Sequence, residues 1–459
     1  VLPLYIHAPG EDTPWEPGAA SHWWLHHSLS ALQRRVADCG SGLLLRSGPS
    51  LAALRRLAAE TGASPIFWNR RYEPAALERD RTVQQALEED GRVCRIFNGS
   101  LLNEPWETKT RSGGPFRVFT PFYRANLRAA QSAAPLPAPT RLPALGAGLT
   151  TKAVDDLDLL PRVPWHRGLA EAWEPGEAGA ARLLAAFAES RLARYGERRD
   201  LPAAEGTSRL SPHLHFGELS PRQILWQCHA QASNCGLESF ERELYWREFA
   251  HHLMFHFPAN PQQPLDTRFT AFPWRSGDAE LRAWQRGETG FPIIDAGMRE
   301  LWHTGWMHNR VRMLVASFLT KNLLVSWQEG ARWFWDTLVD ADLANNTQGW
   351  QWTAGCGADA APYFRIFNPV SQSQRFDPQG AYLRRWLPAL RPLPVRWLHQ
   401  PWAASATELR SLGIKLGEDY PRPMIDLKVT RRRALDAWAE LRRDPPRPGR
   451  QVTMESREP

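Results

Sequence analysis

Lysine is scarce in this chain. It occurs only at Lys109, Lys152, Lys321, Lys415 and Lys428, so nearly all the positive charge is arginine. Cysteine is sparse too. Cys39, Cys94, Cys228, Cys235 and Cys356 are scattered, odd in number and without a CxxC pair. That argues against a disulfide frame or a thiolate zinc site and reads as a reduced intracellular protein. No run of about 18 apolar residues is present, so no transmembrane helix is expected. The opening residues Val1 to Ile6 have no basic stretch ahead of their short apolar run. They read as a buried strand, not as a signal peptide.

What is present points elsewhere. The 459 residues are 43% hydrophobic, enough for two or three domains. The net charge of +7 makes a polyanion, nucleic acid first, a natural partner; a solvated basic surface is the other reading. Arginine suits bidentate phosphate contacts, although a GC-rich genome would enrich it as well. Tryptophan is abundant, with 22 residues beside 19 Phe and 8 Tyr. Tryptophan usually packs cores, and it can also stack on bases or carry electrons.

Residues 1 to 125 alternate strand-like runs (Leu2–Ile6, Gly42–Arg46, Pro65–Asn69, Val93–Asn98) with helical patterns (Trp23–Cys39, Ser50–Thr61, Pro74–Asp90). Such alternation implies a parallel α/β sheet. Residues 131–148 are rich in Ala, Pro, Leu and Gly, a linker composition that places an interdomain connection over 126–165. From 166 to 443 the pattern is helical, with helices expected at 222–232, 237–257, 278–286, 293–303, 306–325, 328–338 and 430–443. Ser211-Pro212 and Ser220-Pro221 each read as an N-cap followed by Pro at the first helical position. Residues 444–459 read as a disordered, Pro- and charge-rich tail.

Four constellations could carry chemistry. Asn309, Arg312 and Met313 share one helix face opposite the apolar stripe Met307, Val311, Leu314, Val315 and Phe318. That face is either solvated or the front of a site. Glu243, Trp246 and Arg247 also share a face, and Glu243 with Arg247 would make an ordinary i,i+4 ion pair. Thr207, Ser208 and Ser211 precede a helix start, where hydroxyls and free N–H groups suit a phosphate; plain capping accounts for Ser211 alone. Asp340 to Trp352 crowds two Asp, two Asn and two Trp into an apolar region. The EF-hand ligand pattern is missing there, so an aromatic cofactor or base fits better than a metal.

Together, GTSRLSPHLHFGELSPRQI (206–224), ELYWREF (243–249), TGWMHNRVRM (304–313), DADLANNTQGWQW (340–352) and DAAPYFRIFNP (359–369) resemble the photolyase/cryptochrome family, in its class I pyrimidine-dimer branch. NRRYEPA (69–75), GSLLNEPWE (99–107) and FRVFTPFYRA (116–125) look like its antenna domain. The resemblance runs from residue 1 to about 440.

It implies an α/β antenna domain with a doubly wound parallel sheet, followed by an all-α FAD-binding domain. Tyr195, Thr207, Ser208, Arg209, Leu210 and Ser211 would hold the phosphate arm of a U-shaped FAD. Phe240, Arg247 and Asn309 would line the flavin pocket, and Arg312 would pair with Asp340 beside the ring. Asp342 and Asn346 would contact the ring edge, where a carboxylate and an amide tune the redox state. Glu243, Trp246, Met313 and Trp352 match lesion-pocket positions, with Asn309 reaching the same space; Arg199, Arg310 and Arg365 match phosphate-contact positions. Trp350, Trp327 and Trp274 match the electron-transfer triad, listed from flavin to surface. The implied activity is light-driven repair of cyclobutane pyrimidine dimers in UV-damaged DNA. Light-excited reduced FAD gives an electron to the flipped-out dimer and recovers it, with no metal or protein nucleophile. The implied setting is a cytoplasmic monomer that joins the bacterial nucleoid when bound to DNA.

Departures from the family pattern define the rivals. Only four strands are counted where the family has five, and the missing one, normally first in the chain, would be central. Phe240 stands where relatives often have Trp. The antenna pigment stays open between methenyltetrahydrofolate and 8-hydroxy-5-deazaflavin, with His27, Asn103, Glu104 and Trp106 as lining candidates or as ordinary packing. A (6-4) photolyase would place a His in the Asn309-Arg310 context and a different partner for Met313. A cryptochrome would often lose the equivalents of Glu243 and Trp246 and carry a longer tail. A light-independent DNA-binding protein is the remaining alternative.

Overall fold

A computed structural model describes residues 1–129, 134–146, 148–231, 235–360 and 364–443; the expected tail lies outside them. The N-terminal part alternates four short strands with helices: β1 (Leu4–His7), α1 (Ala19–Asp38), β2 (Leu44–Ser47), α2 (Ser50–Thr61), β3 (Ile66–Asn69), α3 (Pro74–Glu89) and β4 (Cys94–Phe97). β1 pairs in parallel with β2 (Leu4 opposite Leu44), and β3 in parallel with β4 (Ile66 opposite Cys94). The expected single doubly wound sheet is therefore two sheets of two strands. β1 and β3 do not pair. A cavity of about 1330 Å³ lies between them, lined by both strands and by side chains of α2 and α3. Parallel strands bond only when about 4.8 Å apart.

A helix, α4 (Phe119–Ala129), crosses residue 125, the expected end of this domain. Phe119, Phe122 and Tyr123 recur at i, i+3 and i+4, so they form one aromatic face. That face packs on Tyr245 and Phe249 of the helical domain. The connection that follows lies back on the first domain, where Leu142 N–H bonds the Cys39 carbonyl (2.7 Å) and Thr151 Oγ accepts from Leu45 N–H (2.8 Å).

The helical domain is built on a core that includes Trp284, Trp327, Phe291 and Leu319, each with 1% exposure or less. Its main helices span Cys235–His256, Asp278–Arg286, Pro292–Thr304, Asn309–Ser317, Trp327–Thr337, Leu343–Ala354 and Leu427–Arg443. Ser220 caps its helix as expected. Its hydroxyl accepts Gln223 N–H (3.2 Å), while the Gln223 side chain accepts Ser220 N–H (2.8 Å). Ser211 does not cap. Its helix runs Ser211–His215 with Leu210 at the N-cap, which releases the Ser211 hydroxyl for another partner. The helix expected over 306–325 is shorter. It starts at Asn309, capped by His308, and passes at Phe318–Leu323 into a π-helical stretch. Gly305 ends the preceding helix at φ +65°. That left-handed turn is open to glycine without strain, and it turns the chain toward Trp306–Asn309.

The two parts meet through polar bonds, one buried and one exposed. Trp24 Nε1 donates to Glu218 (3.0 Å), and Ala19 N–H to Asp336 (2.9 Å). A Cβ on Gly18 would lie 2.4 Å from the Asp336 backbone, so only glycine permits this approach. Among the described residues, no helix is long and apolar enough to cross a membrane, and no cluster of His, Cys, Asp and Glu is arranged to hold a metal.

Candidate active site

One cavity of about 570 Å³ opens in the helical domain. Its wall comes from Tyr195–Ser211, the Cys235–His256 helix, Trp306–Met313 and Asp340–Trp352, with Phe334 and Leu338 behind. The size is within the range of cofactor sites.

At one end lie Tyr195, Thr207, Ser208, Arg209, Leu210 and Ser211. Arg209 takes a left-handed backbone (φ +55°), uncommon for a residue with a side chain. Its guanidinium sits between two indoles, 4.4 Å from Trp173 and 4.9 Å from Trp306. Its Nε is buried with no protein partner. A buried unpaired donor is costly, and beside a row of hydroxyls it fits a phosphate-bearing ligand. Phe240 stands edge-on to Tyr195 at 5.3 Å and closes this end.

In the middle, Arg312 Nη2 donates to both Asp340 oxygens (2.8 and 3.0 Å), and Arg312 Nε to the Met307 carbonyl (2.7 Å). The freed Ser211 hydroxyl donates to Asp340 Oδ2 (2.6 Å). Asp340 is buried and fully engaged, so this pair is a rigid charged bar across the cavity floor. Asp342 caps the Leu343–Ala354 helix by accepting Asn345 N–H (2.8 Å), and its second oxygen faces His251 Nε2 at 3.4 Å. Burial would raise its pKa, but the charge of His251, hydrogen bonds from His215 and His251, and nearby Arg247 hold it well below the usual carboxylate range. Asn346 donates Nδ2 to the Ala331 carbonyl (2.9 Å), which fixes the amide plane at the cavity wall.

The outer end carries Glu243, Trp246, Asn309, Met313 and Trp352. Glu243 pairs with Arg199, not with Arg247 as helical spacing predicts. Arg247 turns instead to the Ser100 carbonyl (2.7 Å) and Glu248 (3.6 Å). Trp246 lies flat on Phe119, ring centroids 3.7 Å apart and planes 7° from parallel. Trp352 Nε1 donates to the Asp359 carbonyl (3.1 Å). Arg310 is tied to Asp200 (2.7 Å) at the rim, whereas Arg365 is exposed, lies over Phe367 and stays outside the cavity.

Trp350 stands on the cavity wall, buried, its ring 5.0 Å from Phe334 and 6.1 Å from Trp284. Gly330 makes room for it: a Cβ there would lie 2.1 Å from the Trp350 ring. Trp327 begins the helix that carries Gly330 and is fully buried. Trp274 is partly buried beside Phe272 (4.5 Å). Neither lines the cavity. The four antenna candidates fall in two places. His27 packs on Trp23 in α1, while Glu104 accepts the Tyr72 hydroxyl and Trp106 meets Phe255. Asn103 N–H bonds Glu248 near the latter group.

Sequence reasoning missed Trp306, Trp284, His251, Phe119 and Asp359. Trp306, Phe119 and Asp359 lay inside quoted motifs but were given no role there. Trp284, His251 and Phe119 act through partners far away in the chain, for which spacing gives no signal.

Comparison with known proteins follows this geometry. The family model described as DNA photolyase matches residues 1–141, and that described as FAD binding domain of DNA photolyase matches 240–440. A deoxyribodipyrimidine photo-lyase of Agrobacterium fabrum is 45% identical over 96% of this chain and 93% of its own length. Cryptochrome-2 of Arabidopsis thaliana is 38% identical over 94% of this chain and 73% of its own. The crystal structure of a class III photolyase from Agrobacterium tumefaciens superposes with a TM-score of 0.93 at 44% identity, covering 97% of this chain and 92% of that one. Two family models in the expected order and relatives aligned along almost the whole chain converge: the chain belongs to the photolyase/cryptochrome family.

Proposed function

We propose that this chain is a deoxyribodipyrimidine photo-lyase that holds FAD in the helical-domain cavity and repairs cyclobutane pyrimidine dimers in light. The observation that carries the reading is the continuity of one cavity. A cation with a row of hydroxyls, a charged bar, a ring-edge carboxylate with an amide, and two indoles beside a carboxylate line it in sequence. FAD held there would supply, when reduced and excited by light, the electron chemistry that opens the cyclobutane ring. Every remaining task falls to the chain.

Arg209, steadied between Trp173 and Trp306, and the hydroxyls of Thr207 and Ser208 bind the diphosphate. The Arg312–Asp340 pair and the fixed amide of Asn346 would hold the flavin ring. Trp246 and Trp352 accept the flipped bases, whose extrusion costs a few kcal/mol and least at a damaged step. Glu243, held by Arg199, hydrogen-bonds the pyrimidine edge and stabilises charge that develops there. Arg310 and Arg365 contact backbone phosphates without reading sequence. Trp350, Trp327 and Trp274 would offer a route for electrons from the surface toward the cavity.

The motifs favour class I. The likeness to a structure titled class III photolyase supports class III as a second reading within the same activity. The 38% identity to a cryptochrome supports a photoreceptor as the rival; the retained Glu243, Trp246 and Trp352 at the cavity mouth favour repair. The test is a parallel assay on oligonucleotides bearing either a cyclobutane dimer or a (6-4) photoproduct, in light and in darkness. Light-dependent loss of the dimer alone supports the proposal. Loss of the (6-4) product alone, or of neither with flavin bound, overturns it.

A further inference from the structure

The stack beneath Trp246 comes from a part of the chain outside the motifs that build the cavity. Phe119 is the first residue of α4, is completely buried and does not line the cavity. Its ring covers one face of Trp246 at 3.7 Å and 7°. Phe119 is itself held by neighbours: Tyr123 stacks on it at 5.6 Å and 13°, and the Arg242 guanidinium lies 5.4 Å from its centroid. Phe249 meets both Phe119 and Trp246 edge-on, at 5.9 Å each. The indole is therefore held flat from behind and boxed from the side.

We infer that Phe119 is a positioning residue for lesion recognition, which fixes the plane of Trp246 and leaves one indole face for an incoming base. The inference rests on the reading of Trp246 as a lesion-facing residue. Three physical arguments carry it. A near-parallel contact at 3.7 Å defines the angle of both rings, which aliphatic packing would not. An indole free on both sides could rotate, and ordering it on binding would cost affinity. The second indole is fixed from the same region: the Asp359 carbonyl that takes the Trp352 N–H follows Ala358, which packs in one cluster with Phe119. The relative attitude of the two indoles is thus set by the seam between α4 and the 357–360 turn. Phe119 lies on the N-terminal side of the linker, so this seam couples the docking of the N-terminal part of the chain to base stacking in the helical domain.

The test compares Phe119→Leu, which keeps apolar bulk and removes the plane, with Phe119→Tyr, which keeps the plane. Two readouts are taken on the flavin-loaded protein. The first is the fluorine NMR signal of Trp246 in fluorotryptophan-labelled protein, assigned with Trp246→Phe and recorded without DNA. The second is the ratio of affinities for dimer-bearing and undamaged duplex, which a fraction of misfolded protein does not move. Phe119→Leu is expected to shift or broaden the Trp246 signal and to lower the ratio about two- to tenfold, the worth of one aromatic stack. Phe119→Tyr is expected to restore both. An unmoved Trp246 signal and ratio in Phe119→Leu would overturn the inference. A moved signal in a protein whose wild type does not prefer dimer-bearing DNA upholds the positioning role and overturns the proposed function instead.

Discussion

Replacing Trp246 by Ala removes the flat surface at the outer end of the cavity and leaves Phe119 facing the space it occupied. Stacking of one base on an aromatic side chain is worth about 1–3 kcal/mol by alanine substitution. At about 1.4 kcal/mol per tenfold, the affinity for dimer-bearing DNA should fall roughly five- to hundredfold. The Arg312–Asp340 bar and the hydroxyl row are untouched, so flavin content should stay as in the wild type. Binding to undamaged duplex should change little, because it depends on arginine–phosphate contacts and salt. Trp246→Phe keeps a stacking face and should lose only part of the effect. The assay is a fluorescence-anisotropy titration of matched oligonucleotides with and without one thymine dimer, at constant salt. Unchanged dimer affinity in Trp246→Ala, with flavin bound, would refute the stacking argument.

Other outcomes are expected. Trp350→Phe should block photoreduction of the oxidised flavin but spare repair by protein supplied already reduced; unaltered photoreduction would take Trp350 out of the electron route. Gly330→Ala would force a Cβ into the Trp350 ring, so it should cost about 1–3 kcal/mol in chemical denaturation and slow photoreduction as well. Asp340→Asn leaves Arg312 without its counter-charge in a buried site, a loss of about 3–5 kcal/mol, measurable as a lower denaturation midpoint with reduced flavin retention. Glu248 and Glu300 are pushed up to about 7, in both cases first by burial. Their folded pKa lies above the unfolded value near 4.5, so the folded state binds more protons, and stability is lost as pH rises from about 4.5 through 7. Glu248→Gln keeps the acceptor for Leu102 and Asn103 N–H, which now bond the carboxylate at 2.8 and 3.2 Å. It should therefore flatten that decline in denaturation midpoints across this pH window.

The sequence made local features legible and left most distant partnerships hidden. The helix Ser50–Thr61 matches its expected span, and the Ser220 cap holds because its determinants lie within three residues. Ser211 was misplaced by one position because Leu210 can close the turn, and its hydroxyl has a better acceptor in Asp340. The apolar stripe after Met307 continues through Phe318–Leu323, and so hides the change to π-helical spacing. Helical spacing offered Arg247 to Glu243, but Arg199 reaches it from another segment. The α/β alternation was readable in the first domain. Its division into two small sheets depends on distances between strands, which hydrophobic pattern does not encode. The cavity residues were named through motif resemblance; composition alone reached only as far as a polar, Trp-flanked site. Phe119 under Trp246 was out of reach, because nothing local to either residue specifies the stack.

The most direct test of the central claim is light-minus-dark repair. The flavin-reduced protein is mixed with an oligonucleotide carrying one thymine cyclobutane dimer, and the ultraviolet absorbance of restored thymines is followed under near-UV light. The account predicts recovery in light and none in darkness. No recovery in light, with reduced flavin bound, would contradict it.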